Sequence, residues 1–166
     1  MKIRILGNSG SGKTTLANRI SSELKLDVLH LDSIRFNPNW DLVPYEDMKP
    51  KIEEFLLNTD NWVIDGNYEE LSYLYKDVDL YIWIDLDVNQ SIQNVKNRLR
   101  EFAGKPLPGL NGCIQREDET FDEFIDWIKQ YPSRRDQIRD QIKGNSVIIN
   151  SMEELSNFNI NDVLEK

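Results

Sequence analysis

The sequence predicts an α/β fold, with helices packed around a parallel sheet, and three observations carry that prediction. Short apolar runs alternate with helical periodicity along the chain, the pattern of strands buried on both faces and the helices that cover them. The 166 residues suit one domain, and 39% hydrophobic with 10% aromatic residues supplies a real core rather than a disordered chain. A glycine-rich run over residues 7–15 stands between the first apolar run and the first helical stripe, a strand–loop–helix placement that serves ligand binding.

The elements follow in order. Residues 2–6 form the first candidate strand, and Leu16, Ala17, Ile20 and Leu24 keep helical spacing after it. Residues 27–31 form the second strand. Residues 36–45 carry Asn37, Pro38, Trp40 and Pro44 and read as a loop. Met48, Ile52, Phe55 and Leu56 mark a helix before the third strand, Trp62–Asp65. The fourth strand spans residues 79–86, and Ile92, Val95, Leu99 and Phe102 mark the helix behind it.

Residues 103–119 contain Gly104, Pro106, Pro108, Gly109 and Gly112. An irregular segment of that length is either a functional lid or disordered. Beyond it, Thr120 with Glu123 forms a capping-box pattern ahead of Phe121, Phe124, Ile125 and Ile128. The fifth strand is Ser146–Ile149, and Ser151 with Glu154 opens a last helix in the same way. No repeat, low-complexity tract or linker divides the chain, so residues 1–166 are expected to form a single domain.

Composition excludes several functions. Against 29 acidic residues stand 20 Lys and Arg, a formal net charge of -9. Such a chain is repelled by nucleic acid and by anionic membrane, so direct DNA binding is disfavoured. No apolar run approaches the roughly 20 residues of a membrane span. The amino terminus has too short an apolar part for a signal peptide, and a cytoplasmic protein is expected. The lone Cys113 permits no internal disulfide and reads as an unreactive thiol; the lone His30 reads as a packed histidine.

The run Gly7-Asn8-Ser9-Gly10-Ser11-Gly12-Lys13-Thr14-Thr15 matches GxxxxGK[ST], the P-loop. Its glycines let successive backbone N–H groups turn into one concavity, and the helix that follows adds the positive end of its dipole. The expected ligands are ATP and Mg²⁺. Gly7, Ser9, Gly10, Ser11, Gly12, Lys13, Thr14 and Thr15 form the cradle, Lys13 reaches the β- and γ-phosphates, and the Thr14 hydroxyl meets the metal. A dinucleotide reading fails, because Thr15 stands where the third glycine of that motif belongs.

Asp32 and Asp65 end the second and third strands, and ligands bind beyond the carboxyl ends of parallel strands. One carboxylate could orient a metal-bound water and the other accept a proton from an attacking hydroxyl. Helix capping is the plainer alternative for both. The arginines offer charge for a migrating phosphoryl group: Arg98, Arg100 and Arg116 flank the irregular segment, and Arg134, Arg135 and Arg139 follow it. Lys13, Asp32, Asp65, Arg98 and Arg135 are the candidate catalytic set. Simple surface pairing competes for Arg135 and Arg139, which stand four residues apart with Asp136 and Asp140 adjoining them.

The P-loop, the run Leu31-Asp32-Ser33-Ile34-Arg35-Phe36-Asn37-Pro38-Asn39-Trp40 and the run Trp62-Val63-Ile64-Asp65-Gly66-Asn67-Tyr68 together resemble a known family. They resemble the small P-loop proteins called DNA topology modulation protein (FlaR-like), relatives of adenylate and shikimate kinases, and Trp127, Tyr131-Pro132 and Arg134-Arg135 extend the likeness. The resemblance implies a three-layer P-loop NTPase with a five-stranded parallel sheet in the nucleoside monophosphate kinase arrangement, with a lid at about residues 98–119. It also implies that Arg35, in the spacing Asp-x-x-Arg, contacts an acceptor, with Trp40, Asn67 and Tyr68 around it, and that Asn150-Ser151 borders the base. The Phe-Pro-Arg that follows Asp-Gly in adenylate kinases is replaced by Asn67-Tyr68. The second Asp and the triple glycine of shikimate kinases are missing.

The first functional reading is therefore a Mg²⁺- and ATP-dependent phosphotransferase acting on a nucleotide or other small-molecule acceptor. The alternative is a nucleotide-binding regulator of DNA topology or transcription without efficient transfer. A GTPase switch is weaker, because no Asn-Lys-x-Asp run reads guanine.

Overall fold

The computed structural model of the protein describes residues 1–165. Among the described residues five strands form one sheet: β1 Lys2–Gly7, β2 Asp27–His30, β3 Trp62–Asp65, β4 Leu80–Ile84 and β5 Ser146–Ile149. Their order is β2-β3-β1-β4-β5, and every neighbouring pair is parallel. The chain leaves β1 for one side of the sheet and later crosses to the other. The crevice beyond the carboxyl end of β1 is therefore the switch point where such sheets bind ligands.

Side-chain alternation on the strands assigns the helices to the two faces. Ile3, Ile5, Val63, Ile82 and Ile84 face α1 (Lys13–Leu24), α7 (Met152–Asn157) and α8 (Ile160–Leu164). On the other face, Trp62 and Ile64 pack with α3 (Tyr45–Asn58) and a 3₁₀ helix, Glu69–Leu74. Leu6 and Trp83 pack there against Tyr131 and Ile138 of α6 (Tyr131–Arg139). Each fully buried aliphatic contributes about 1.5–3 kcal/mol, so the sheet is held by both layers. α4 (Val88–Glu101) and α5 (Glu119–Lys129) pair beside it through Val95, Phe121, Ile125 and Ile128. No helix among the described residues is long and apolar enough to cross a membrane.

Several expected boundaries move. β2 stops at His30, because Leu31 already opens a short helix, α2 (Leu31–Arg35). β4 keeps Leu80–Ile84, and Asp79, Asp85 and Leu86 fall outside it. Tyr45 belongs to α3 rather than to the preceding loop, and Phe102 lies just past the end of α4. The cap of α5 is Asp118, whose carboxylate accepts the Phe121 N–H at 3.1 Å, not Thr120. An acidic side chain at a helix start gains from the dipole as well as from the hydrogen bond. At α7, Ser151 does cap, accepting the Glu154 N–H at 3.1 Å.

Candidate active site

β1 delivers Gly7 to the crevice at a point where no side chain fits. A Cβ on Gly7 would lie 2.5 Å from the Ile84 carbonyl oxygen. At Gly10, with φ of +77°, it would lie 2.5 Å from the Ser91 carbonyl oxygen. The loop therefore nests against β4 and α4. Asn8, 1% exposed, ties it further: its side chain donates to the Ile128 carbonyl at 3.3 Å and accepts the Ser9 N–H at 2.9 Å. Asn94 of α4 donates to the Gly10 carbonyl at 2.8 Å.

Lys13 curls back on its own loop, donating to the carbonyls of Gly7 at 3.0 Å and Asn8 at 2.8 Å. Burial lowers its pKa, an effect the charges of Asp32 and Asp65 oppose. Ser11 Oγ is buried without a partner, Thr14 is half-buried and Thr15 exposed. Asn67 reaches across from β3. Its amide oxygen accepts the Gly7 N–H at 3.0 Å and its amide nitrogen donates to the Gly7 carbonyl. The amide assigned from sequence to an acceptor is thus engaged by the phosphate loop.

The two strand-end carboxylates occupy different settings. Asp65 pairs in register with Ile5 of β1, is 3% exposed, and keeps Oδ2 buried without a partner. Its Oδ1 faces His30 Nδ1 at 3.0 Å, and His30 Nε2 faces Asn18 Oδ1 at 3.0 Å. Burial alone would lower the His30 pKa, but the hydrogen bond and charge of Asp65, with Asp32 behind, raise it above the ordinary value. His30 therefore contacts a candidate site carboxylate as well as packing against its neighbours.

Asp32, in α2, accepts the Tyr68 hydroxyl at 2.6 Å. Burial first, and then Asp32, hold that phenol far above its usual pKa, so it stays a donor. Arg35 donates to the Val43 carbonyl and lies 4.4 Å from the Tyr45 ring centroid, while Tyr45 meets Tyr68 edge-on at 6.1 Å. The result is an aromatic and basic wall beside Asp32.

The segment at 102–118 lies across this mouth. Gly109 comes so near that a Cβ there would stand 3.3 Å from Thr14 Cγ2 and 3.5 Å from His30 Cδ2. Leu107, Leu110 and Cys113 pack against Phe36, Trp40 and Phe102. Trp40 Nε1 donates to the Ile114 carbonyl at 2.9 Å. Cys113 is fully buried, and burial pushes its thiol pKa up, the setting of an inert thiol.

Arg98 of α4 is half-buried, bonds Gln115 Oε1 at 3.3 Å and keeps Nε unpartnered. Burial lowers its pKa and Asp32 raises it, which puts its charge in the same field as Lys13. Arg135 forks onto Asp85, whose Oδ1 also accepts the Tyr131 hydroxyl at 2.9 Å. Arg134 stacks on Trp127, 3.6 Å from its ring centroid, and Arg100, Arg116 and Arg139 are exposed.

Of the residues named from sequence, the structure brings Lys13, Thr14, Asp32, Asp65, Arg98, Arg35 and Tyr68 to one mouth. Sequence reasoning missed Asn8, Asn94 and Gln115 and took His30 as packing. A signal existed only for His30, two residues before Asp32 at a strand end. The other three act from positions that no local pattern distinguishes.

No protein-family profile matches the chain, and no curated protein matches it in sequence. Solved structures do match in fold. A shikimate kinase from Bacteroides thetaiotaomicron aligns with a TM-score of 0.61 at 20% identity, over 100% of this chain and 99% of its own. A shikimate kinase from Acinetobacter baumannii, solved in complex with shikimate, gives 0.63 at 14% identity, over 99% and 93%. A putative kinase from Chloroflexus aurantiacus gives 0.57 at 13%, over 99% and 95%. The chain has the P-loop kinase-like fold.

Proposed function

We propose that the protein is a Mg²⁺- and ATP-dependent phosphotransferase acting on a small-molecule acceptor. The observation that carries the reading is the convergence of Lys13, Arg98 and two differently held carboxylates at one mouth. The residues fit the nucleotide and the metal. The loop backbone turns as a phosphate nest, Ser11 Oγ and Asp65 Oδ2 are buried and unpartnered, and Thr14 offers a hydroxyl. Thr14 and Asp65 would hold Mg²⁺, which would neutralise charge on the phosphates there.

In this reading Lys13 leaves the Gly7 and Asn8 carbonyls for the phosphates. Asp65, fixed by His30 through Oδ1, would help to hold the metal with its free Oδ2. Asp32, with one oxygen fixed by Tyr68, takes the proton of the acceptor hydroxyl. Arg98 neutralises the migrating group. Arg35, Trp40, Tyr45 and Tyr68 shape the acceptor pocket, and Asn67 fixes the loop instead of touching substrate. Arg135 braces α6 through Asp85 and stands outside the reaction. The segment at 102–118 acts as the lid, opening to admit ligands and closing over Thr14 to exclude water.

Kinship with the DNA topology modulation family is part of the same reading. It rests on the LDxxxxxPxW and WxIDGNY runs, to which the site gives work: Asp32 and Trp40 in the first, Asp65, Asn67 and Tyr68 in the second.

The test is ADP release from Mg²⁺ and ATP across a panel of nucleosides, nucleoside monophosphates and small hydroxylated metabolites. At least one acceptor is expected to raise release above the water background, and Asp32→Asn to cut that gain by about 10²–10³-fold. A nucleotide-binding regulator predicts binding with no acceptor gain. If no acceptor raises release and Lys13→Ala leaves the background unchanged, the reading is wrong.

A further inference from the structure

A second cavity, of about 360 Å³, is lined by none of the residues assigned above to nucleotide or acceptor. It opens between the 3₁₀ helix Glu69–Leu74 and the chain just past α6, with Ser72 and Tyr75 on one side and Gln141 and Lys143 on the other. Its size is that of a small-molecule site.

Arg4 is part of its lining. It sits in the central strand, 2% exposed, between Ile3 and Ile5 at 0%. One terminal nitrogen donates to the Gly66 carbonyl at 2.8 Å, and the guanidinium lies 4.3 Å from the Tyr75 ring centroid. The other terminal nitrogen is buried with no partner. Among the described residues no carboxylate forms an ion pair with it.

A buried cation costs several kcal/mol unless it is paired, about as much as removing one member of a buried ion pair. One carbonyl and one ring face do not satisfy the five N–H donors of a guanidinium. A bracing role for Arg4 explains the nitrogen on Gly66 and leaves the other unexplained. Two more lining residues carry buried, unpartnered atoms: the Tyr75 hydroxyl and Gln141 Oε1. Burial pushes the Tyr75 phenol up to about 12, so at neutral pH it stays a donor. A cationic donor, a hydroxyl and an amide acceptor, each buried without a partner on residues that line one cavity, match the outline of a missing ligand.

We infer that this cavity binds a small molecule carrying one oxyanion, a carboxylate or a phosphate monoester. Arg4 and Tyr75 donate to the oxyanion, and Gln141 accepts from a hydroxyl or amine of the same molecule. The rim narrows the class. Lys76 and Lys143 are offset there by Glu69, Asp77 and Asp140, so only the Arg4 end favours negative charge, and a polyphosphate meets three carboxylates. The site goes beyond the phosphotransferase reading and does not depend on it.

The test is calorimetric titration of the Lys13→Ala protein, whose P-loop has lost its phosphate-binding lysine, with sodium phosphate and with lactate as separate probes. At least one is expected to bind at a single site in the millimolar range. Arg4→Met, which removes one charge-assisted hydrogen bond, and Ser72→Tyr, which fills the cavity from a half-exposed position, should each weaken binding at least about tenfold. Binding of phosphate alone assigns a phosphate group, binding of lactate alone a carboxylate, and binding of both their shared oxyanion. If neither probe binds, or if Ser72→Tyr leaves the affinity unchanged, the inference is overturned. Should Arg4→Met fail to fold, Ser72→Tyr decides alone. Failure here leaves the acceptor-dependent ADP test untouched.

Discussion

The phosphate loop is fastened to the rest of the fold on several sides, whereas the loop at 36–44 and the segment at 102–118 hold chiefly one another. Asn67 just past β3, Asn94 from α4 and the Ile128 carbonyl of α5 all bond the phosphate loop, and Gly7 and Gly10 press on β4 and α4. The two outer loops meet through Trp40 on Ile114, Cys113 on Asn37, and a small apolar cluster. One end of the cleft is therefore preorganised backbone. The other is an association of two loops that can part together, which suits a pocket that must open.

Breaking the preorganised end has the largest effect. Lys13→Ala is expected to lower kcat about 10³-fold, the scale for loss of one group that stabilises transferring charge. Because burial already disfavours the Lys13 charge, the melting temperature should not fall. Steady-state ADP release and thermal unfolding together check both halves. A large fall in melting temperature would move Lys13 from chemistry to architecture and weaken the contrast.

Asn67→Ala comes next. It leaves the Gly7 N–H without its side-chain partner, while the Gly7 carbonyl keeps Lys13, at about 1–3 kcal/mol for the unsatisfied buried group. Both stability and nucleotide affinity should drop, the affinity by about tenfold. Denaturant unfolding and nucleotide titration test this. Loss of acceptor binding with nucleotide affinity intact would return Asn67 to the acceptor pocket.

The same contrast explains what could be read from the sequence. The sheet was legible because Ile3, Ile5, Val63, Ile82 and Ile84 make short apolar runs of fixed period. The phosphate loop was legible because its chemistry lies in consecutive residues. Asn8, Asn94 and Gln115 were not, because each works through one long-range bond that polar residues at those positions do not announce. Arg135 is a candidate for phosphate chemistry from its neighbours alone. Only the fold brings Asp85 within reach, from 50 residues away, and Asp85 engages it. His30 was read as core because its partners, Asn18 and Asp65, come from two other elements.

Trp40→Phe tests the outer loops. It removes the bond to the Ile114 carbonyl and keeps a ring beside Phe36. A neutral hydrogen bond contributes about 1 kcal/mol, so acceptor KM should rise about fivefold while nucleotide affinity stays within about twofold. An equal change in both would mean that the outer loops and the phosphate loop form one unit.

The smallest effect lies at the junction between the two regions, where His30 touches Asp65 and lies under Gly109. Both ring nitrogens face oxygen atoms, a carboxylate and an amide oxygen, which suits an imidazolium donating twice. Its folded pKa is raised, so its stabilisation is fully present below the unfolded value of about 6.5 and is lost as pH climbs through the folded value. His30→Gln should therefore be less stable than the parent by about 1–2 kcal/mol near pH 6, with the gap closing toward pH 9. Denaturant unfolding of the nucleotide-free, metal-free protein across that range measures the gap. A gap independent of pH would mean that His30 acts by shape alone. A gap that widens with pH would mean that the neutral ring is the form the fold prefers, and that Asp65 is positioned without help from its charge.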